Sequence, residues 1–266
     1  MGSQRRVGRL LVHEYGDPGK PVLLLLHGIT DSGQCFPDLV ARLGSSYRIV
    51  APDALAHGGS GRFTDEEMAS ADPIEAMYAA TEVVLDDVGP ALVAGHSMGG
   101  AMAGALAARR PDLVRAVIAE DPAWMDEAPW SDAEEAKQQR VDWARAITAD
   151  PARAIAQCRA DHPTWPESEY GPWAQGKTDV DETFLRAGVG MLGTPWREIV
   201  GAIEPPMLVV TGDQEVLLDA DVLAEVDRVN PRCDVSVVEG AAHCVRRDHA
   251  DAFHALVDPW LAARTE

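Results

Sequence analysis

Long hydrophobic runs are missing from this sequence. No stretch reaches the ~18 consecutive apolar residues that a membrane-spanning helix needs. The longest apolar run, residues 99–108, consists of small side chains and reads as a buried helix. Residues 1–11 carry arginines but no apolar h-region, so no secretory signal is expected; Met1-Gly2-Ser3-Gln4-Arg5-Arg6 also lacks the Ser or Thr that N-myristoylation requires at the sixth position. Cysteine is scarce. Cys35, Cys158, Cys233 and Cys244 are scattered without zinc-ligand or disulfide-framework spacing. With no H-E-x-x-H either, neither a metal nor any other cofactor is expected, and a reduced, cytoplasmic protein is. Positive charge is short: 23 Lys and Arg against 43 Asp and Glu leave a formal net charge of −20. Such a chain repels nucleic-acid phosphates and anionic membranes, and its short basic pairs (Arg5-Arg6, Arg109-Arg110, Arg246-Arg247) make no compensating stripe. The excess charge is read as solubility, with no nucleic acid and no membrane as partner.

What is present is ordinary globular composition, 46% hydrophobic and 25% charged over 266 residues. That length lies near the roughly 250–300 residues at which one core stops growing, so one domain with an insert is expected. Short apolar runs closed by Gly, Asp or Glu recur at residues 21–26, 47–51, 91–94, 113–119, 207–211 and 235–238. Each reads as a strand buried on both faces. Helical patterns at 36–43, 73–87, 98–109, 220–229 and 250–262 separate them, which predicts an α/β protein with a mostly parallel sheet flanked by helices. Residues 7–15 add an antiparallel edge strand. Residues 122–200 break the rhythm: they lack a strand pattern and hold six of the seven tryptophans (Trp124, Trp130, Trp143, Trp165, Trp173, Trp196). The expected division is a core of residues 1–121 and 201–266 with a helical cap, or lid, of residues 122–200. Its tryptophans either line an apolar substrate pocket or join the cap helices to one another.

Ligands of parallel sheets bind at the carboxyl ends of the strands. After the strand at 91–94 comes Gly95-His96-Ser97-Met98-Gly99, a G-x-S-x-G match between a strand and a helix of small residues. A serine in such a turn takes a strained backbone, flanking glycines let strand and helix approach, and the helix N-terminus faces the charge that develops on attack. The plain alternative is a glycine-rich turn with an incidental serine. A serine hydroxyl needs a base and the base needs a carboxylate. His243, in the small-residue loop Gly240-Ala241-Ala242-His243-Cys244 after the last strand, is the candidate base; a packed or capping histidine is the alternative. For the acid, Asp213 and Glu215 follow the strand at 207–211 and Asp121 follows the one at 113–119. Helix capping is the ordinary role for any of them.

With these residues in the order Ser, acid, His, the chain resembles the α/β-hydrolase superfamily, in its single-domain esterase-like branch with a helical lid. The resemblance covers nearly everything except the lid. It implies an α/β-hydrolase fold with an inserted helical cap, and an acid in a Gly-x-x-Asp loop. Counting from Gly212 gives Glu215, a departure from Asp, with Asp121 and Asp213 as alternatives. It also implies an oxyanion hole from the backbone N–H groups of Met98 and of Ile29, the residue after His27-Gly28, with Thr30 as a further hydroxyl donor. His27 is expected to be structural, as is the turn Pro52-Asp53-Ala54-Leu55-Ala56-His57-Gly58-Gly59-Ser60, where Ala56 replaces the family's usual first Gly. The expected activity is hydrolysis of a carboxylic ester or lactone through an acyl-enzyme, on a small molecule with an apolar acyl part, by a monomer or homodimer. The alternatives are hydrolysis of a carbon–carbon bond in a diketone, and a low-turnover ligand-binding protein on the same scaffold.

Overall fold

A computed structural model of the chain describes residues 2–70, 72–127, 131–188 and 195–265. Among these the elements run β1 (Ser3–Val7), β2 (Leu10–Tyr15), β3 (Val22–Leu26), α1 (Pro37–Leu43), β4 (Arg48–Pro52), α2 (Asp65–Met68), α3 (Ile74–Val88), β5 (Ala91–His96), α4 (Met98–Arg109), β6 (Val114–Glu120), α5 (Glu134–Ala149), α6 (Pro151–Asp161), α7 (Glu167–Asp179), α8 (Glu182–Ala187), α9 (Trp196–Ala202), β7 (Met207–Gly212), α10 (Ala220–Val229), β8 (Cys233–Val238), α11 (Val245–Asp248) and α12 (Ala250–Ala262). The strands form one sheet in the order β1-β2-β4-β3-β5-β6-β7-β8. All pairings from β4 to β8 are parallel, and β2 runs antiparallel to both β1 and β4.

Side-chain alternation divides the core. Leu24 and Leu26 of β3 pack on one face with Val93, Val117 and Val209, under α3 and α4. Leu23 and Leu25 face the other way with Ile49, Leu92, Ile118 and Val210, under α1 and α12. All four leucines are at most 3% exposed, so each contributes on the order of 1.5–3 kcal/mol of burial. This two-sided burial is why β3 reads as an unbroken apolar run.

The expected single edge strand is corrected to a hairpin. β1 is the edge and β2 has neighbours on both sides. The two-residue connection carries Gly8 at φ +55°, which suits the tight turns that join twisted strands. The described part of 121–206, between β6 and β7, holds α5 to α9 and no strand. Trp124 and Trp196 stack on each other at 5.9 Å and are buried, so these two join elements. Trp130 lies outside the described residues. No helix among the described residues is long and apolar enough to cross a membrane.

Candidate active site

Ser97 joins the end of β5 to the start of α4 with φ +54° and ψ −116°. The flanking glycines are required by space. A Cβ on Gly95 would sit 2.1 Å from the Gly99 carbonyl oxygen, and one on Gly99 would sit 2.0 Å from that of Leu26. Strand and helix therefore cross in backbone contact, and the turn between them lifts Ser97 above the sheet. The Ser97 N–H donates to the Glu120 carbonyl at 2.9 Å, and its own carbonyl accepts from Ala123 N–H at 3.0 Å, which fixes the turn against the end of β6.

His243 lies in the loop between β8 and α11. Its Nδ1 is 2.5 Å from Oδ2 of Asp121. Here the structure corrects the sequence reading: Asp121, not Glu215, holds the ring. Asp121 directly follows β6 at φ +34° and is fully buried. Besides the ring, its carboxylate accepts from Thr211 Oγ1 at 2.8 Å, Leu217 N–H at 2.9 Å and Leu218 N–H at 3.2 Å. The loop after β7, where an acid was expected, thus wraps two amides onto a carboxylate from the neighbouring strand. Glu215 sits in that loop, exposed, at φ +48°. Asp213 is also exposed and accepts from Gly240 N–H and Gln214. Sequence reasoning held Asp121 as an alternative, but the signal for it, two amides folding back six and seven residues past Thr211, is not local.

His243 and Ser97 line one cavity of about 280 Å³ together with Ile29, His96 and Trp165. Among the described residues no hydrogen bond joins the Ser97 hydroxyl to the ring; before substrate docks, such bonds are often long. His96 stands behind His243: its Nε2 donates to the His243 carbonyl at 3.0 Å and the two rings pack at 4.6 Å. Burial pushes His96 well below the ordinary histidine range, so it is neutral.

The loop after β3 approaches the elbow because residue 28 is glycine. A Cβ there would meet His96 Nδ1 at 2.7 Å. Ile29 follows, and neither its N–H nor that of Met98 donates within the described hydrogen bonds. Thr30 takes φ +64° and its N–H donates to His57 Nε2 at 3.3 Å. His27 is clamped, with Nδ1 on the Gly28 carbonyl and Nε2 accepting from Ala54 N–H. His57 donates to the Leu55 carbonyl, and burial drives it down to about 3. Asp53 accepts from Gly33 and Gly59 N–H and pairs with His13. Each of these groups holds loop backbone, as a structural role requires.

The cavity wall is charged. Lys177 of α7 pairs with Asp31, and Arg247 of α11 reaches Asp31 at 3.0 Å and Glu169 of α7 at 2.8 Å. All four are at most 5% exposed. Burial alone would raise the Asp31 carboxyl, but Arg247 and Lys177 hold it well below the usual carboxylate range. Of the tryptophans, Trp165 meets the cavity, and Trp143 lines a second groove of about 470 Å³ that shares Ile29 with it. Donor atoms of His96, Glu120 and Cys244 lie within 4.8 Å of one another. They suit a metal poorly. Glu120 is committed to Arg246, and burial pushes the Cys244 thiol up to about 12 while Arg246 donates to its sulfur. The guanidinium already supplies a cation there.

Comparison with known proteins agrees with this fold. The alpha/beta hydrolase family model matches residues 23–256. The chain is 28% identical to 2-(acetamidomethylene)succinate hydrolase of Mesorhizobium japonicum, over 90% of this chain and 87% of that one. It is 36% identical to lipase LipV of Mycobacterium tuberculosis, over 67% of this chain and 59% of that one. The crystal structure of E-2-(acetamidomethylene)succinate hydrolase superposes with a TM-score of 0.76 at 23% identity, over 98% of this chain and 99% of that one, a likeness of fold. An eight-stranded, mostly parallel sheet, a serine on a strained elbow and a family match across most of the sequence lead to one conclusion: this chain belongs to the alpha/beta hydrolase family.

Proposed function

We propose that the protein is a serine hydrolase with Ser97 as nucleophile, His243 as base and Asp121 as the acid behind it. The observation that carries this is the fully buried Asp121 carboxylate at 2.5 Å from Nδ1 of a histidine that lines the same cavity as the elbow serine. A carboxylate on Nδ1–H fixes the tautomer in which Nε2 is free to accept a proton. Ser97 Oγ attacks the carbonyl carbon as His243 takes its proton. The N–H groups of Met98 and Ile29 receive the developing oxyanion. His243 then protonates the leaving oxygen, and water, activated by the same ring, releases the acid from the acyl-enzyme.

The substrate proposed is a carboxylic ester or lactone with a compact acyl part. A cavity of about 280 Å³ corresponds to roughly nine waters at ~30 Å³ each, room for a short chain or ring beside the serine. Ile29, Trp165 and Ala242 offer apolar wall. A second reading draws on the Lys177, Arg247 and Asp31 side of the cavity and on the relative named for 2-(acetamidomethylene)succinate. In it the same residues hydrolyse a small substrate that carries a carboxylate, with a diketone carbon–carbon bond as the alternative scissile group.

The test uses Ser97→Ala. Wild-type protein is expected to turn over p-nitrophenyl acetate and to be labelled by a fluorophosphonate at Ser97, and the variant to do neither. A folded Ser97→Ala protein with the wild-type rate refutes the assignment. Wild-type protein that binds but neither hydrolyses nor labels is a ligand-binding relative. Relative kcat/KM for short esters, lactones and a vinylogous diketone then separates the two substrate readings.

A further inference from the structure

We infer that the buried pair Glu120–Arg246 is a positioning device that locks the three groups of the proposed machinery to one another; this rests on the reading of Ser97, His243 and Asp121 above. Glu120 is the last residue of β6, 3% exposed, and it touches all three pieces. Its carbonyl accepts the N–H of Ser97. Its chain neighbour is Asp121, which holds the ring. Its carboxylate accepts the Arg246 N–H at 2.7 Å and the Arg246 guanidinium at 2.9 Å, so it grips the start of α11 three residues beyond His243. The same guanidinium reaches the carbonyl of Cys35 at 3.2 Å, in the loop that carries Ile29, and lies over the Phe36 ring at 5.0 Å. Nucleophile turn, acid, base loop and oxyanion loop therefore meet at one ion pair.

Stability is a weak reason for such a pair. Taking two charges out of water is costly, and well-packed apolar replacements of a buried pair are often neutral. Among the described residues Arg246 Nε has no partner, which weakens the case for stability further. What the pair provides is registry. Two donors on adjoining groups of one residue, both met by one carboxylate, fix the position of the His243 loop relative to β6. The reaction needs that registry, since a shift of about 1 Å at reacting atoms can cost on the order of 100-fold in rate.

The experiment compares Glu120→Gln and Arg246→Lys with Glu14→Gln. The last breaks partly buried ion pairs on β2, to Arg5 and Arg48, that touch none of the three reacting groups. In Glu120→Gln, kcat for p-nitrophenyl acetate is expected to fall about 10- to 100-fold with KM within about threefold, and fluorophosphonate labelling of Ser97 to slow in parallel. The low-field proton resonance of the short His243–Asp121 hydrogen bond is expected to move or broaden. Arg246→Lys keeps the charge but not the fork, and is expected to fall between wild type and Glu120→Gln. Glu14→Gln is expected to lose thermal stability and keep kcat. Folded Glu120→Gln or Arg246→Lys with the wild-type kcat, labelling rate and low-field resonance overturns the inference. So does failure of both to fold while Glu14→Gln folds, because the pair is then structural. If wild-type protein neither labels nor hydrolyses, the Ser97 reading fails instead. The low-field resonance, which needs no substrate, still reports on the pair.

Discussion

The Asp121 carboxylate meets four donors with its two oxygens: a hydroxyl, two amides and an imidazole. A group so saturated cannot rotate away from the ring. Asp121→Asn is therefore expected to preserve the fold while lowering kcat/KM by about 10⁴, since an amide nitrogen facing Nδ1 forces the wrong tautomer. Glu215→Gln, exposed on the cavity rim, is expected to stay within a few-fold. Steady-state ester kinetics on the two variants decides between them, and the reverse ranking would restore the acid to the loop after β7. The elbow at Ser97 and the strand-end loop of His243 were legible because each announces itself locally, one between glycines, the other in a run of small residues. The carboxylate that meets the ring was not. Several carboxylates end strands here, and what selects one is which carboxylate the Leu217 and Leu218 amides fold around, a long-range matter.

Elements were read well where burial is two-sided or periodic. β3, α4, α10 and α12 fall on their expected residues because unbroken Leu runs, small-residue helices and 3.6-residue spacing each have one structural meaning. β1 was missed because Ser-Gln-Arg-Arg-Val is polar and mostly exposed, and its stability comes from pairing with β2. The Gly8 turn was the available signal. The crossing of β5 and α4 makes a sharp forecast. Gly99→Ala must push backbone away from backbone, so its thermal and urea unfolding are expected to show a loss at or above the top of the ~1–3 kcal/mol usual for overpacking. Gly201→Ala on α9, where the new Cβ would lie 3.8 Å from its nearest neighbour, is expected to be neutral or to gain about 0.5–1 kcal/mol. Equal effects at the two sites would mean that the elbow can relax.

Across the whole molecule, strain has one address. The non-glycine residues with positive φ among those described are Thr30, Ala56, Ser97, Asp121 and Glu215, and each follows the carboxyl end of a parallel strand, β3 to β7 in turn. The same rim holds His27, His57 and His96, which burial keeps neutral. Their folded pKa values lie below those of the unfolded chain, so the unfolded state binds the extra protons. Their contribution is complete above about pH 6.5 and is lost as the pH falls below it, by up to roughly 1.4 kcal/mol per pH unit for each ring. Urea midpoints at pH 7.5, 6.5 and 5.5 are expected to drop slightly across the upper step and about threefold more across the lower one, and a level series would mean that these rings are protonated in the native protein. The seating of α7 on the loop after β3 has a different consequence. Gly176 brings the helix so close that a side chain there would lie 3.0 Å from the Asp31 backbone, and Lys177 and Glu169 find their opposite charges beside it. If the helix lifts, water solvates both halves of each pair, so departure carries little electrostatic penalty. A return displaced by one turn leaves dry charges without partners. The seat is keyed rather than glued, and a helix that leaves it has a single way home.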